Sequence, residues 1–170
     1  MAVLLPPSAA IGNTRYLSDI KEEMLEENTL DAVFTLPSDI FHPGSNSSAC
    51  CMVFILGRPH RNADGTVNKT FFGYYRNDGH KKKKNLGRVE QFDAQNHSIW
   101  KRIEEEWLDL YRNRIVKDGM SAMQAVSGSD EWLCEAYMKT DYSQLCEADF
   151  QRTLNNYLAY LVKEGRIYES

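Results

Sequence analysis

Short apolar runs alternate with amphipathic stretches along the first half of the chain. Ala2-Val3-Leu4-Leu5 is wholly apolar and is ended by Pro6 and Pro7. This pattern predicts a strand buried on both faces of a mostly parallel sheet. Residues 8–13 are rich in small residues and read as a loop. Over Arg15–Glu27, Leu17, Ile20, Met24 and Leu25 recur at helical spacing behind Thr14, a capping residue. Glu22, Glu23, Glu26 and Glu27 fall on the opposite, solvated side. Residues 30–36 predict the next strand, stopped by Pro37, and residues 49–56 a third, buried strand. Asn62-Ala63-Asp64-Gly65 is turn chemistry, and residues 69–75 are β-branched and aromatic. The order predicts a parallel pair across the first helix, then a hairpin adding antiparallel edge strands.

The second half reads differently. Residues 76–89 are polar and basic, with Gly79 and Gly87 marking turns. From Ser98 the spacing of Ile99, Ile103, Trp107, Leu110 and Tyr111 predicts a helix. Ser129 can cap a short helix over residues 131–137. The strongest helical stripe lies in residues 147–164, where Phe150, Leu154, Tyr157, Leu158, Leu161 and Val162 share a side and Gly165 follows. The fold class expected is α/β: a partial mixed β-sheet over residues 1–92, then a helical C-terminal region over 93–170.

Composition sharpens this picture only in places. Hydrophobic residues make up 42% of the 170 and charged residues 26%, which argues against wholesale disorder. The formal net charge is −4, without the basic excess of a self-sufficient nucleic-acid binder. The balance is uneven: residues 1–92 hold 11 basic and 10 acidic side chains, residues 93–170 hold 9 and 14. Cys50, Cys51, Cys134 and Cys146 show no Cys-x-x-Cys spacing, and free thiols in a reducing compartment are expected over a disulfide scaffold. Neither a signal peptide nor a membrane-length apolar run is present, so a cytoplasmic location is expected.

Candidate chemistry concentrates in Leu36-Pro37-Ser38-Asp39-Ile40-Phe41-His42-Pro43-Gly44. This loop follows a strand at the end where open α/β sheets place ligand crevices. Phe41 is either a stacking platform for a planar ligand or a core plug under the loop. Asp39 and His42 could form an acid–base pair, though no Ser or Cys nucleophile is identifiable beside them. His60, His80 and His97 are scattered without metal-ligand spacing. Lys81, Lys82, Lys83 and Lys84, with Arg76, His80 and Arg88 nearby, form a basic patch that is either a set of phosphate contacts or a solvated loop. Gly-x-Gly-x-x-Gly, the phosphate-binding Gly-x-x-x-x-Gly-Lys-Ser/Thr and Gly-x-Ser-x-Gly are all missing from the sequence.

The ordered set of segments resembles the C-terminal half of the catalytic domain of adenine-specific DNA methyltransferases, in particular the modification subunit of type I restriction–modification systems. The segments are Ala2-Val3-Leu4-Leu5-Pro6-Pro7, a helix, residues 30–41 ending in Leu36-Pro37-Ser38-Asp39-Ile40-Phe41, the strand around Met52-Val53-Phe54, and Phe71-Phe72-Gly73-Tyr74-Tyr75. Residues 130–158 are similar to the end of that subunit. The resemblance implies the second half of a methyltransferase-like Rossmann sheet, S-adenosylmethionine as the family's methyl donor, and DNA with specificity and restriction subunits as partners. It implies that Phe41 occupies the place of the aromatic that packs on a flipped adenine. It also places the family's cofactor loop and its Asn/Asp-Pro-Pro-Tyr/Phe loop ahead of Met1. Leu5-Pro6-Pro7-Ser8 has the two prolines without the polar residue before or the aromatic after. The expectation is therefore a partial methyltransferase, inactive alone, with no catalytic, cofactor-binding or metal residue of its own. The alternative is a non-enzymatic assembly module that completes its sheet with a partner or a second copy.

Overall fold

The computed structural model describes residues 1–12, 14–143 and 145–166. The chain forms two compact units, Met1–Lys139 and Thr140–Ser170. The first unit takes in a helix and a strand beyond residue 93 as well as the residues before it.

Strand β1 (Ala2–Leu5) runs into a short helix α1 (Pro7–Ile11), with Pro7 at the first helical position where its missing N–H costs nothing. The expected loop over residues 8–13 is therefore helical at its start, and Asn13 lies outside the described residues. Helix α2 (Arg15–Glu27) begins where the Thr14 hydroxyl accepts a hydrogen bond from the Leu17 N–H. Strands β2 (Thr29–Thr35), β3 (Cys50–Ile55), β4 (Lys69–Tyr74) and β7 (Ser121–Ala125) complete a five-stranded mixed sheet of order β1-β3-β2-β4-β7. Strands β5 (His80–Lys83) and β6 (Gly87–Glu90) form a separate antiparallel hairpin. Helix α3 (Ile99–Arg112) lies between β6 and β7 in sequence, and its Tyr111 hydroxyl donates to Asp31 at 2.6 Å, tying it to β2.

Four expectations are corrected here. Among the described residues Ala2–Leu5 is an edge strand paired with β3 alone, antiparallel, and its residues alternate between exposed and half-buried. Four apolar residues in a row do not by themselves distinguish a central strand from an edge. The hydrogen-bonded parallel pair is β2 with β4, since β3 inserts antiparallel between β1 and β2. Asn62-Ala63-Asp64-Gly65 closes only a small loop bridged at Arg61 and Val67, so β4 is not a hairpin partner of β3 but an interior strand. Its interior place explains the burial of Thr70, Phe71 and Phe72. The helix expected over 131–137 contracts to one 3-10 turn, Cys134–Ala136.

The two faces of the sheet differ. One is sealed by α1, α2 and the segment around Trp132, burying Leu25, Leu30, Val33, Met52, Phe54, Phe72, Trp132 and Leu133. Lys21 is buried there too; its ammonium donates to the carbonyls of Ala10, Gly12 and Asp130 and lies 4.9 Å from the centre of the Trp132 ring. Burial lowers its pKa, opposed by the negative charges of Asp130 and Glu131. The other face is aromatic: Phe34 stacks on Tyr75 at 5.1 Å and Tyr75 on Trp107 at 4.2 Å. It is half covered by α3, leaving a cleft of about 410 Å³ lined by Leu4, Phe34, Leu36, Tyr75, Trp107 and Leu108.

The second unit contains α4 (Glu147–Lys163), in which Phe150, Leu154, Tyr157, Leu158 and Val162 are all exposed. Among the described residues no helix is long and apolar enough to cross a membrane.

Candidate nucleic-acid interface

The parallel strands β2 and β4 both end on one side of the sheet, and the chain leaves each through a loop. Beyond β2, Pro37 is buried and starts a chain of turns: the Ile40 N–H donates to Pro37, the His42 N–H to Asp39 and the Ser45 N–H to Phe41. These turns project Phe41 outward, with 41% of its surface exposed. Phe41 is therefore not a core plug. Beyond β4, residues 75–79 lead directly into the β5–β6 hairpin.

Arg88, on β6, joins the two loops. Its Nη2 lies 2.7 and 2.8 Å from the two carboxylate oxygens of Asp78. Its Nε lies 3.1 Å from Asp39 Oδ1, an ion-pair distance, though off the line of a good hydrogen bond. Only 14% of the Arg88 side chain is exposed, so this contact is weakly screened compared with a surface pair. Asp78 is also fixed by accepting the His80 N–H at 3.1 Å. Gly87, at φ +76°, lies so close to the first loop that a Cβ there would meet Pro43 Cδ at 3.3 Å. The hairpin thus rests against the Phe41 loop through one guanidinium and one close backbone approach.

Lys81, Lys82, Lys83 and Lys84 are exposed, the first three along β5 and Lys84 in the turn. The structure joins Phe41 and this basic strand through Arg88, a link the sequence does not suggest. Asp39 and His42 are not an acid–base pair: the Asp39 carboxylate faces Arg88, and the contact the two residues make is between backbones. His97 is exposed beside Asp93, and His80 lies against Trp100 with rings 6.0 Å apart. His60 is buried, with neither ring nitrogen partnered, and burial holds its pKa below the ordinary histidine value. The Cys residues are free. Burial raises the Cys50 thiol to about 11 and Cys134 to about 12, which leaves them inert as nucleophiles at neutral pH. Among the described residues no cluster of three His, Cys, Asp or Glu could hold a metal.

The residues after β1 do not fit an S-adenosylmethionine cradle. Pro6 and Pro7 open a helix there, and Pro6 supplies no capping side chain. The following glycine, Gly12, is packed: a Cβ would meet Leu17 Cδ1 at 2.4 Å and the Ser8 carbonyl at 2.9 Å.

This mixed α/β architecture, with a mixed sheet and a C-terminal helix, resembles methyltransferase subunit structures over part of their length. The chain is similar to the type I restriction–modification methyltransferase subunit of Streptococcus thermophilus, with a TM-score of 0.55 and 18% identity, covering 82% of this chain and 26% of that one. A chain from work on complex assembly and conformational transition of the type I R-M system matches with a TM-score of 0.51 and 14% identity, over 99% of this chain and 35% of that one. By sequence, the chain is 27% identical over 165 residues to the type II restriction enzyme and methyltransferase RM.BcgI of Heyndrickxia coagulans, covering 94% of this chain. It spans 23% of the length of that relative. No family model matches the chain. Sequence and fold point the same way: over most of its length the chain is similar to one part of restriction–modification methyltransferases.

Proposed function

We propose that this chain is the part of an adenine-specific DNA methyltransferase that receives the extruded base and holds the neighbouring phosphates. The observation that carries the reading is Phe41, exposed on a loop that Arg88 pins to the lysine-bearing hairpin. A base taken out of a duplex loses its stacking partners and needs another π-face, which an exposed phenyl ring supplies. Lysines on an adjoining strand supply sequence-independent contacts to the backbone.

In this reading S-adenosylmethionine is bound by other parts of the enzyme, and no methyl-transfer step is assigned to these residues. Specificity and restriction subunits are its partners by analogy with type I systems, and a cytoplasmic location follows from the substrate. A duplex carrying one mismatched adenine tests the stacking role by fluorescence anisotropy. Phe41→Ala is expected to weaken binding to the mismatched duplex by about tenfold and to the paired duplex much less, since a base–aromatic stack is worth roughly 1–3 kcal/mol. Equal loss on both duplexes would remove Phe41 from the role.

A different observation favours a second reading. Among the described residues β1 has a neighbour on one edge only, and Leu4 on that strand, 52% exposed, also lines the apolar cleft. A free edge beside an apolar cleft invites a strand and a packed side chain from elsewhere. The chain would then complete its sheet with a partner or a second copy. Sedimentation over a micromolar concentration range is the test; a monomer throughout would exclude the second copy.

A further inference from the structure

A single exposed leucine on a protein surface is ordinary, but Leu86 is singular in its place. It sits at the tip of the β5–β6 hairpin with 72% of its surface exposed, more than any other described aliphatic side chain. The backbone on either side is set to present it: Asn85 has φ 65° and Gly87 φ 76°, and the Leu86 N–H donates to the Lys83 carbonyl at 3.1 Å. Asn and Gly are the residues that adopt this left-handed conformation most readily. Lys81 to Lys84 lead up to this tip, all exposed.

The base of the hairpin is fixed. Arg88 holds both oxygens of Asp78 and approaches Asp39, and the Gln91 N–H donates to the Gly79 carbonyl at 2.9 Å. Lys82 lies opposite Arg88 in the register and Lys83 opposite Gly87. The hairpin therefore combines three properties: a rigid root, a cationic flank and an apolar tip. A two-stranded ribbon has the width to enter a DNA groove. Apolar side chains carried into a groove by cationic scaffolds act by inserting between base steps and unstacking them.

We propose that Leu86 is a wedge that inserts between base pairs of duplex DNA while Lys81 to Lys84 hold the flanking phosphates, with Arg88 as the residue that positions the hairpin. The proposal rests on the reading of this surface as a nucleic-acid interface and adds a division of labour. Phe41 receives a base that has left the stack, and Leu86 loosens the stack it leaves.

The test uses the full 170-residue chain and a duplex containing 2-aminopurine, whose fluorescence rises on unstacking. Binding of the wild-type protein is expected to raise the signal several-fold. Leu86→Ala should lose most of that rise, weaken binding by less than about tenfold and leave the dependence on salt unchanged, because no phosphate contact is removed. Leu86→Met, which keeps an apolar tip, should retain the rise. Thermal melting of both variants at the wild-type temperature verifies folding. A salt-dependent complex with no fluorescence rise, or a rise that survives in Leu86→Ala, overturns the wedge and leaves the interface standing. Absence of any salt-dependent duplex binding by the wild type overturns both.

Discussion

The sealed face of the sheet and the Phe41–hairpin surface use apolar side chains in opposite ways. On the sealed face Leu30, Val33, Phe54 and Phe72 are buried among one another, and the buried Thr70 hydroxyl donates to the Leu30 carbonyl at 2.7 Å. On the other surface Phe41 and Leu86 remain in solvent, and what holds their backbones is polar: turns, left-handed residues and the Arg88 contacts. The first arrangement gains stability from burial. The second gives up that gain and spends an arginine and two aspartates on position alone. An apolar side chain held rigidly in water is better explained by what it meets than by what it stabilises.

The contrast can be broken most forcefully at Phe72. Its truncation to Ala leaves a cavity in the sealed face and is expected to cost ~3–5 kcal/mol in urea unfolding. Arg88→Ala comes next. It leaves Asp78, 8% exposed, without its cation, at an expected cost of about 3 kcal/mol. A change below about 1 kcal/mol would mean that Arg88 does not anchor the hairpin.

His60 sharpens the comparison through pH. Its neighbours include Glu22, which favours the protonated ring, and Arg61, which opposes it, but burial is the larger influence and lowers the pKa. The unfolded chain therefore takes up a proton at about pH 6.5 while the folded chain resists it. Stability is complete above that pH and declines as pH falls below it. His60→Gln should flatten this decline in urea midpoints measured between pH 7.5 and 5.5; an unchanged decline assigns it to other groups. The smallest effect belongs to the exposed pair. Phe41→Ala and Leu86→Ala are expected to change folding stability by less than about 1 kcal/mol, in keeping with surface positions. A larger loss in either would place that residue among the structural ones.

Legibility from the sequence followed the strength of local signals. Helix α2 was readable because Thr14 caps it and a four-residue stripe marks its buried side; α3 and α4 had similar stripes. Strands β2 and β3 stood out as apolar runs between turn residues. The pairing of β4 did not, because Asn62 to Gly65 carry hairpin chemistry while the chain crosses back to lie beside β2. Strand β5 was hidden in His80 and three lysines of the basic run, which have no two-residue alternation, and β7, Ser-Ala-Met-Gln-Ala, has scarcely more. Phe41 was readable as one of two alternatives, and its exposure argues against the core plug. The contact of Arg88 with Asp39 and Asp78 depends on how two distant loops fold back, and no local pattern encodes it. Gly79 and Gly87, turn residues on either side of the basic run, were the local hint that the segment doubles back.

The interface itself is most directly tested by the salt dependence of duplex binding. For the wild-type chain the logarithm of the binding constant should fall linearly with the logarithm of salt concentration, by about 0.9 per phosphate contacted. Replacing Lys81, Lys82, Lys83 and Lys84 with Ala should reduce that slope by the contribution of two or more contacts, roughly 2 to 4. Equal slopes for the two proteins would contradict the assignment of this surface to nucleic acid.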